Sequence, residues 1–322
     1  MTDVQVLINE GLEQARWGLL GSQGHVLGVD LGGYGLRAVL VDLHERTLTS
    51  AHAEPAGGDP QQVVEQTIEL CRGLLRDQAV EDGRLVRVGV GFGGPVDSRN
   101  GTVLLSPRSS GWEHFPLQAQ FERAFDAATL VDNDANLIAL AEATFGVGRN
   151  VDHLFYLHLS SGVGGGAVLD GRLYHGATTT AGEIGHAMVG YGWDGIGQPA
   201  TLEQLVSVPG MLARAGDLGA RTDNLNDLFG QDVVGQQVVR ETVNILAMQL
   251  AQLVVLLDPQ MVVLGGIVAR IGGEPFVDAV RDQMVRYIQP QFARSVQVVA
   301  SALGPDSIAV GGVALALESL RD

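Results

Sequence analysis

The stretch TLVDNDANLIALAEATFGVG, Thr129–Gly148, carries the first decision. Its opening, with the preceding alanine, reads as the strand ATLVDN, and it passes without a loop into an apolar-periodic helix. Asp132, Asn133 and Asp134 stand at the joint. One polar side chain at a helix start satisfies free N–H groups, and an acidic one complements the dipole. Capping therefore does not account for three such residues. A carboxylate at a strand-to-helix junction is also placed to take a proton from a substrate.

Outward from this joint the chain alternates strand and helix patterns. HVLGVDL, LRAVLVDL, RTLTSAHAE, LVRVGVGF, GTVLLSP, LFYLHLS, GGAVLDGRLYH, MVVLGG and SVQVVAS read as further strands. Helical periodicity covers about 61–78, 115–127, 134–146, 234–257, 275–288 and 306–320. Strands in hairpin order, then a helix, then a strand, occur once from His25 and again from Leu154. Two similar α/β halves joined near the Asp134 helix, with a cleft between them, is the simplest arrangement, and such a cleft is a preferred ligand site.

Glycine-rich turns follow the first strand of each half. VDLGGYGLR sets Asp30 at a strand end with Gly32 and Gly33 in the turn, and SSGVGGGAV repeats the design with Ser161 and Gly162. Backbone N–H groups in such turns can approach a phosphate because no Cβ intervenes. A single such turn is no more than a β-hairpin needing positive φ. One in each half, facing across a cleft, points to phosphate binding. GVGFGG, residues 89–94, matches a dinucleotide fingerprint but leads into PVDSRNGTV, a turn and a strand, where that fingerprint must open a helix. A Rossmann site is rejected, and no G-x-S-x-G elbow offers a hydrolase nucleophile.

Composition removes other classes. Length suits two cores, since 322 residues exceed one ordinary small domain, and 46% hydrophobic with 18% charged residues marks a globular chain. All 20 basic residues are arginine, so neither a Schiff-base lysine nor a Walker-type phosphate loop is available. A net charge of −17 opposes nucleic acid and anionic membranes. The single cysteine, Cys71, excludes an internal disulfide and a cysteine-rich zinc site, and its helical setting reads as a small buried hydrophobe. No run of 18 apolar residues and no basic-then-apolar leader is seen, which predicts a cytoplasmic protein without membrane contact.

TTAGEIGHAMVG adds Glu183 and His186, three apart, a carboxylate and an imidazole able to share one face and bind hydroxyl groups. Metal ligation would need more than these two. Together with DLGG (30–33), GFGGPVD (91–97), SSGW (109–112), DNDAN (132–136), SGVGGG (161–166), TLE (201–203) and VVLGG (262–266), the chain resembles the ROK family from about Val26 to Leu320. That family comprises bacterial sugar kinases and sugar-responsive repressors. The resemblance implies an actin-like fold, two ribonuclease-H-like α/β domains around a central cleft. The expected division is an N-terminal segment 1–25, a first domain of 26–134 plus 305–322, and a second domain of 135–304.

By position, the resemblance implies that Asp134 is the general base deprotonating the attacking sugar hydroxyl. Asn133, Glu183, His186 and Glu203 match groups that hold sugar hydroxyls, and Gly93 with Gly94 the loop over the sugar. Asp30, Gly32, Gly33, Ser161 and Gly162 match the phosphate and Mg²⁺ region, and Gly265 with Gly266 the adenosine side. ATP and Mg²⁺ are the implied cofactors, a sugar the implied partner, and a homodimer the common assembly. Phosphoryl transfer asks mainly for positioning, charge neutralisation and a base beside the nucleophile, which suits this set.

Departures from the family pattern are specific. Tyr34 and Gly35 replace the usual threonine and frequent lysine after the first glycine turn. Arg108 stands where kinases often have asparagine. The family zinc motif, C-x-C-G-x-x-G-C-x-E, falls on DGIGQPATLE with Asp194, Ile196 and Thr201 in cysteine positions, so no structural zinc is expected despite His186. Residues 1–25 resemble the end of a winged-helix head whose three helices are absent, so no DNA contact is expected through this chain. Two functions follow: an ATP-dependent sugar kinase acting on a hexose or hexosamine hydroxyl, or a sugar-sensing regulator core without its DNA-binding head, catalytically weak or silent. Asp134 favours the first, since a sensor needs no base.

Overall fold

The computed structural model describes residues 6–7, 10–11, 24–32, 35–81, 83–106, 109–190, 198–230, 232–293 and 296–320. The chain divides into two compact units, one of residues 1–150, 175–180 and 302–322, the other of 151–174 and 181–301. The helix opening at Asp134 falls within the first unit.

Unit 1 is built on β1 (His25–Gly32), β2 (Gly35–Asp42), β3 (Thr47–Ala53), β4 (Leu85–Phe92) and β7 (Thr129–Asn133), in the order β3-β2-β1-β4-β7. The first three are antiparallel neighbours, and β1, β4 and β7 run parallel. β1 reads as a nearly unbroken apolar run because both its faces are covered. Leu27, Val29 and Leu31 point into the layer holding α1 (Pro60–Asp77) and α2 (Leu117–Phe125). Val26 joins the opposite layer of α3 (Asp134–Thr144) and α10 (Ser307–Glu318). α1 starts where Asp59 accepts from the Gln62 amide at 3.2 Å and Pro60 pre-sets the first turn. Its buried stripe of Val64, Ile68, Cys71 and Leu74 follows helical spacing.

Unit 2 repeats the plan, with β11 (Met188–Gly190) and β12 (Ala200–Thr201) paired as a separate two-stranded sheet. β8 (Leu154–Leu159), β9 (Val163–Leu169), β10 (Arg172–Leu173), β13 (Met261–Gly265) and β14 (Gln297–Ala300) take the order β10-β9-β8-β13-β14, again three antiparallel strands followed by two parallel ones. The expected α/β class and the duplicated sheet are both present. α7 (Val233–Leu257) is long and apolar enough to span a bilayer by composition, but Val238, Leu246, Leu250 and Leu253 lie in the unit 2 core.

Some elements differ from the sequence expectation. Among the described residues, GTVLLSP contributes strand only at β6 (Thr102–Val103), paired with β5 (Val96–Asp97). The helix expected over 275–288 begins earlier, as α8 (Gly266–Met284), with a break at Gly273 (φ 60°) that, with Pro275, disguises its first turns. α4 (Leu202–Val206), α5 (Val208–Asp217), α6 (Leu225–Leu228) and α9 (Pro290–Ala293) have no counterpart in the helical periodicity of the sequence. Most of these are too short to establish a period.

Candidate active site

In unit 1 the pertinent side chains gather where the parallel strands end. Register sets Asp30, Gly91 and Asp132 in one row across β1, β4 and β7, and Leu31, Phe92 and Asn133 in the next. The carboxyl ends of parallel strands are where open α/β sheets bind ligands. Asp30 is 5% exposed, and a Cβ on Gly32 would lie 2.7 Å from its Oδ1, so the glycine makes room for this carboxylate. Gly33 and Tyr34 of the same turn, and Arg108, lie outside the described residues.

The β7–α3 corner resolves the three residues at the joint. Asn133 is the N-cap: its Oδ1 accepts from the Ala135 amide at 2.9 Å, and its Nδ2 donates to the Gly94 carbonyl at 3.0 Å. The second bond ties the helix start to the buried Gly93–Gly94 loop leaving β4. Asp132 faces inward, where its Oδ1 accepts from the Asn133 amide and from Asn136 Nδ2. Asp134 opens α3 half-buried, its Oδ1 accepting from the Ala135 amide at 2.8 Å.

Sequence reasoning missed one partner of this corner. His175 Nε2 meets Asp132 Oδ2 at 2.5 Å, and this hydrogen bond, outweighing the opposing effect of burial, raises the imidazole pKa above its ordinary value. His175 follows β10 in an irregular segment 43 residues away, and no spacing signal joins the two.

Unit 2 collects a second group. The Ser160–Gly162 turn closes with the Ser160 amide donating to the Gly162 carbonyl at 2.9 Å, leaving Ser161 exposed at its tip. The Val163 amide donates to Glu203 Oε2 at 2.9 Å, which brings Glu203, near the start of α4, against this turn. The turn carrying Glu183 and His186 packs on β9 without clearance, since a Cβ on Gly185 would lie 1.9 Å from the Val163 carbonyl oxygen. Glu183 and His186 approach to 3.6 Å, and His186 is largely exposed. The sequence thus brings Gly162, Glu183, His186 and Glu203 around the start of β9. At the neighbouring carboxyl end of β13, Gly265 caps α8 and Gly266 (φ +84°) sits where a Cβ would be 2.2 Å from the Leu159 carbonyl oxygen.

These residues fit the implied groups within each unit. Asp30 offers a hard carboxylate oxygen suited to Mg²⁺. The glycine turn at Gly162, and Gly265–Gly266 at the helix start, offer backbone that a nucleotide can approach closely. For zinc, Asp194 and Ile196 lie outside the described residues, whereas Thr201 spends its hydroxyl on a capping box with Gln204. Among the described residues, no three His, Cys, Asp or Glu side chains form a metal cluster.

The sequence pattern of the ROK family matches residues 26–319. The ROK hexokinase from Thermus thermophilus superposes with a TM-score of 0.81 at 28% identity, over 92% of this chain and 99% of that one. A ROK glucokinase from Streptomyces griseus, solved in complex with glucose and AMPPNP, gives a TM-score of 0.74 at 27% identity, over 92% of this chain and 100% of that one. The xylose repressor of Caldicellulosiruptor bescii is 26% identical over 318 residues, 92% of this chain and 79% of the repressor.

Proposed function

The chain belongs to the ROK family and has the actin-like fold of its sugar kinases, and from that premise we propose that it is an ATP-dependent kinase of a hexose or hexosamine hydroxyl. The observation that carries the reading is Asp134. It is a half-buried carboxylate at the first position of α3 that shares the Ala135 amide with the N-cap Asn133. Asp134 would accept the proton of the attacking hydroxyl as the hydroxyl oxygen bonds to the γ-phosphorus and the bond from that phosphorus to the departing ADP breaks. Asn133, Glu183, His186 and Glu203 are the groups proposed to hold the other hydroxyls, with Gly93–Gly94 the proposed loop over the sugar. Asp30 and Gly32 would hold Mg²⁺ and phosphate, joined by Ser161 and Gly162, while Gly265–Gly266 would take the adenosine side. ATP with Mg²⁺ supplies the electrophilic γ-phosphoryl group and neutralises its charge. The hexokinase and the glucose- and AMPPNP-bound glucokinase support this reading.

The likeness to a xylose repressor favours one other reading, a sugar-sensing core without turnover. A coupled ADP-release assay over a panel of hexoses and hexosamines, with and without Mg²⁺, separates the two. Asp134→Asn, which preserves size, should cut kcat by about a hundredfold or more, the scale of general-base loss, with sugar affinity changed much less. Sugar binding without ADP release from any sugar would establish the sensor. Near-full activity in Asp134→Asn would sink the proposed mechanism.

A further inference from the structure

We propose that His175 is a positioning residue for Asp134, acting through buried Asp132 to fix the β7–α3 corner. Asp132 is 2% exposed and divides its carboxylate between two tasks. Oδ1 holds the corner itself, through the Asn133 amide at 2.7 Å and Asn136 Nδ2 at 2.9 Å. Oδ2 turns to His175 Nε2 at 2.5 Å, and among the described residues no other ion-pair partner of Asp132 is seen. A buried carboxylate oxygen stripped of its donor must rotate outward, recruit water or take a proton. Each response moves Oδ1, and with it the backbone that aims Asp134.

The imidazole is itself held. His175–Thr180 belongs to unit 1 although the chain on both sides of it, to Tyr174 and from Ala181, belongs to unit 2. Arg99 donates to the Ala177 carbonyl at 2.5 Å, and the Thr179 hydroxyl reaches the Val96 carbonyl at 3.2 Å. Thr179 adopts φ +60°, a conformation that a β-branched residue keeps only when its surroundings impose it. Along the chain this strap leads directly to Ala181, Gly182 and Glu183.

The tie is proton-linked. The groups acting on His175 are Asp132 of β7, Arg99 after β5 and Glu318 at the end of α10; the bond from Asp132 holds its pKa above the ordinary 6.5. A raised folded-state value means the charged tie is complete below about 6.5 and is lost as pH climbs through the folded-state value.

The inference rests on the kinase reading for its catalytic readout, and the experiment separates the two. His175→Ala and His175→Gln are compared with wild type in kcat, KM for sugar and their pH profiles, with circular dichroism to verify folding. His175→Ala should lower kcat by about tenfold to a hundredfold, the scale of a small misplacement of a reacting group, with KM moved much less. His175→Gln keeps an N–H donor but cannot titrate; it should recover most of kcat at pH 7 and lack the alkaline decline of wild type. An unchanged kcat in His175→Ala, or the same alkaline decline in His175→Gln, would overturn the proposal. Should His175→Ala fail to fold, the pH profile of His175→Gln decides alone. Should wild type bind sugar yet release no ADP, the kinase reading fails and the pH dependence of sugar affinity becomes the readout. Loss of that dependence in His175→Gln then supports the role of His175, and its persistence refutes it.

Discussion

Replacing Gly89 by alanine tests whether the unit 1 sheet and its C-terminal helix meet backbone to backbone. An added Cβ at Gly89 would lie 1.9 Å from the Gly312 carbonyl oxygen, 2.6 Å from its carbon and 2.9 Å from its Cα. The contact is reciprocal, since a Cβ on Gly312 would fall 2.4 Å from the Gly89 oxygen, and Gly28 stands 1.9 Å from the Ala309 oxygen by the same construction. Ordinary contact begins near 3.4 Å, so α10 must retreat by about 1.5 Å, and no flexible side chain can absorb the move. The retreat loosens Ala309, Val310, Val313 and Leu317, all buried. Overpacking usually costs about 1–3 kcal/mol, and with main chain on both sides the upper end, about 3 kcal/mol, applies. For a unit of this size that lowers Tm by about 6–12 °C. Thermal unfolding by circular dichroism, with urea titration followed through buried Trp112, reads the effect. Gly58→Ala is the control: nothing stands within 4 Å of its Cβ, and its stability should stay within about 0.5 kcal/mol of wild type. A Gly89→Ala protein melting within about 2 °C of wild type would refute the close approach.

Three further outcomes are expected. Arg214 holds Glu241 with two bonds of 2.8 and 3.1 Å, and this lowers the carboxyl pKa below its ordinary 4.5. Its stabilising contribution is therefore present above 4.5 and lost as pH falls through the lowered value, so the urea-midpoint gap between wild type and Glu241→Gln should close in acid. Burial pushes the Cys71 thiol up to about 12, so the native protein should not react with a thiol reagent at pH 8, while the unfolded chain titrates its single cysteine. Elemental analysis of purified protein should find no stoichiometric zinc, because Thr201 offers a capping hydroxyl where the motif has a cysteine; about one zinc per chain would contradict this.

The sequence made the repeated sheets legible because strands covered on both faces are long apolar runs, as in HVLGVDL and MVVLGG. It exposed the glycine turns for a similar reason: Gly266 at φ +84° against the Leu159 carbonyl admits no side chain, so composition and geometry coincide. Short helices were illegible. α4 runs only from Leu202 to Val206, and α5 hides its start behind Pro209 and Gly210, residues that read as loop until Ser207 is seen capping Gly210. The Asp132–His175 pair was invisible on different grounds. Its partners lie 43 residues apart, and the strap joins unit 1 from within the sequence of unit 2. Periodicity reports contacts along one element, not a chain's excursion from one unit to another.

The three polar residues at the β7–α3 corner are explained by a division of labour that no one of them could carry alone. A capping side chain must turn back on its own helix, as Asn133 does toward Ala135, and is then committed. A residue that fixes the corner from beneath must be buried and saturated with donors, as Asp132 is by Asn133, Asn136 and His175. A base must escape such saturation, because a carboxylate saturated with donors is too weakly basic to accept a proton in a transition state. Asp134 shares the Ala135 amide with Asn133, accepts no other bond among the described residues, and remains half-exposed. Asn133→Ala should therefore cost about 1 kcal/mol of stability through the lost cap, together with weaker sugar binding through the freed Gly94 loop. Asp134→Asn should leave stability almost untouched. Reversed effects, with Asp134→Asn destabilising and Asn133→Ala neutral, would make Asp134 the structural member of the three and remove the argument for it as the base.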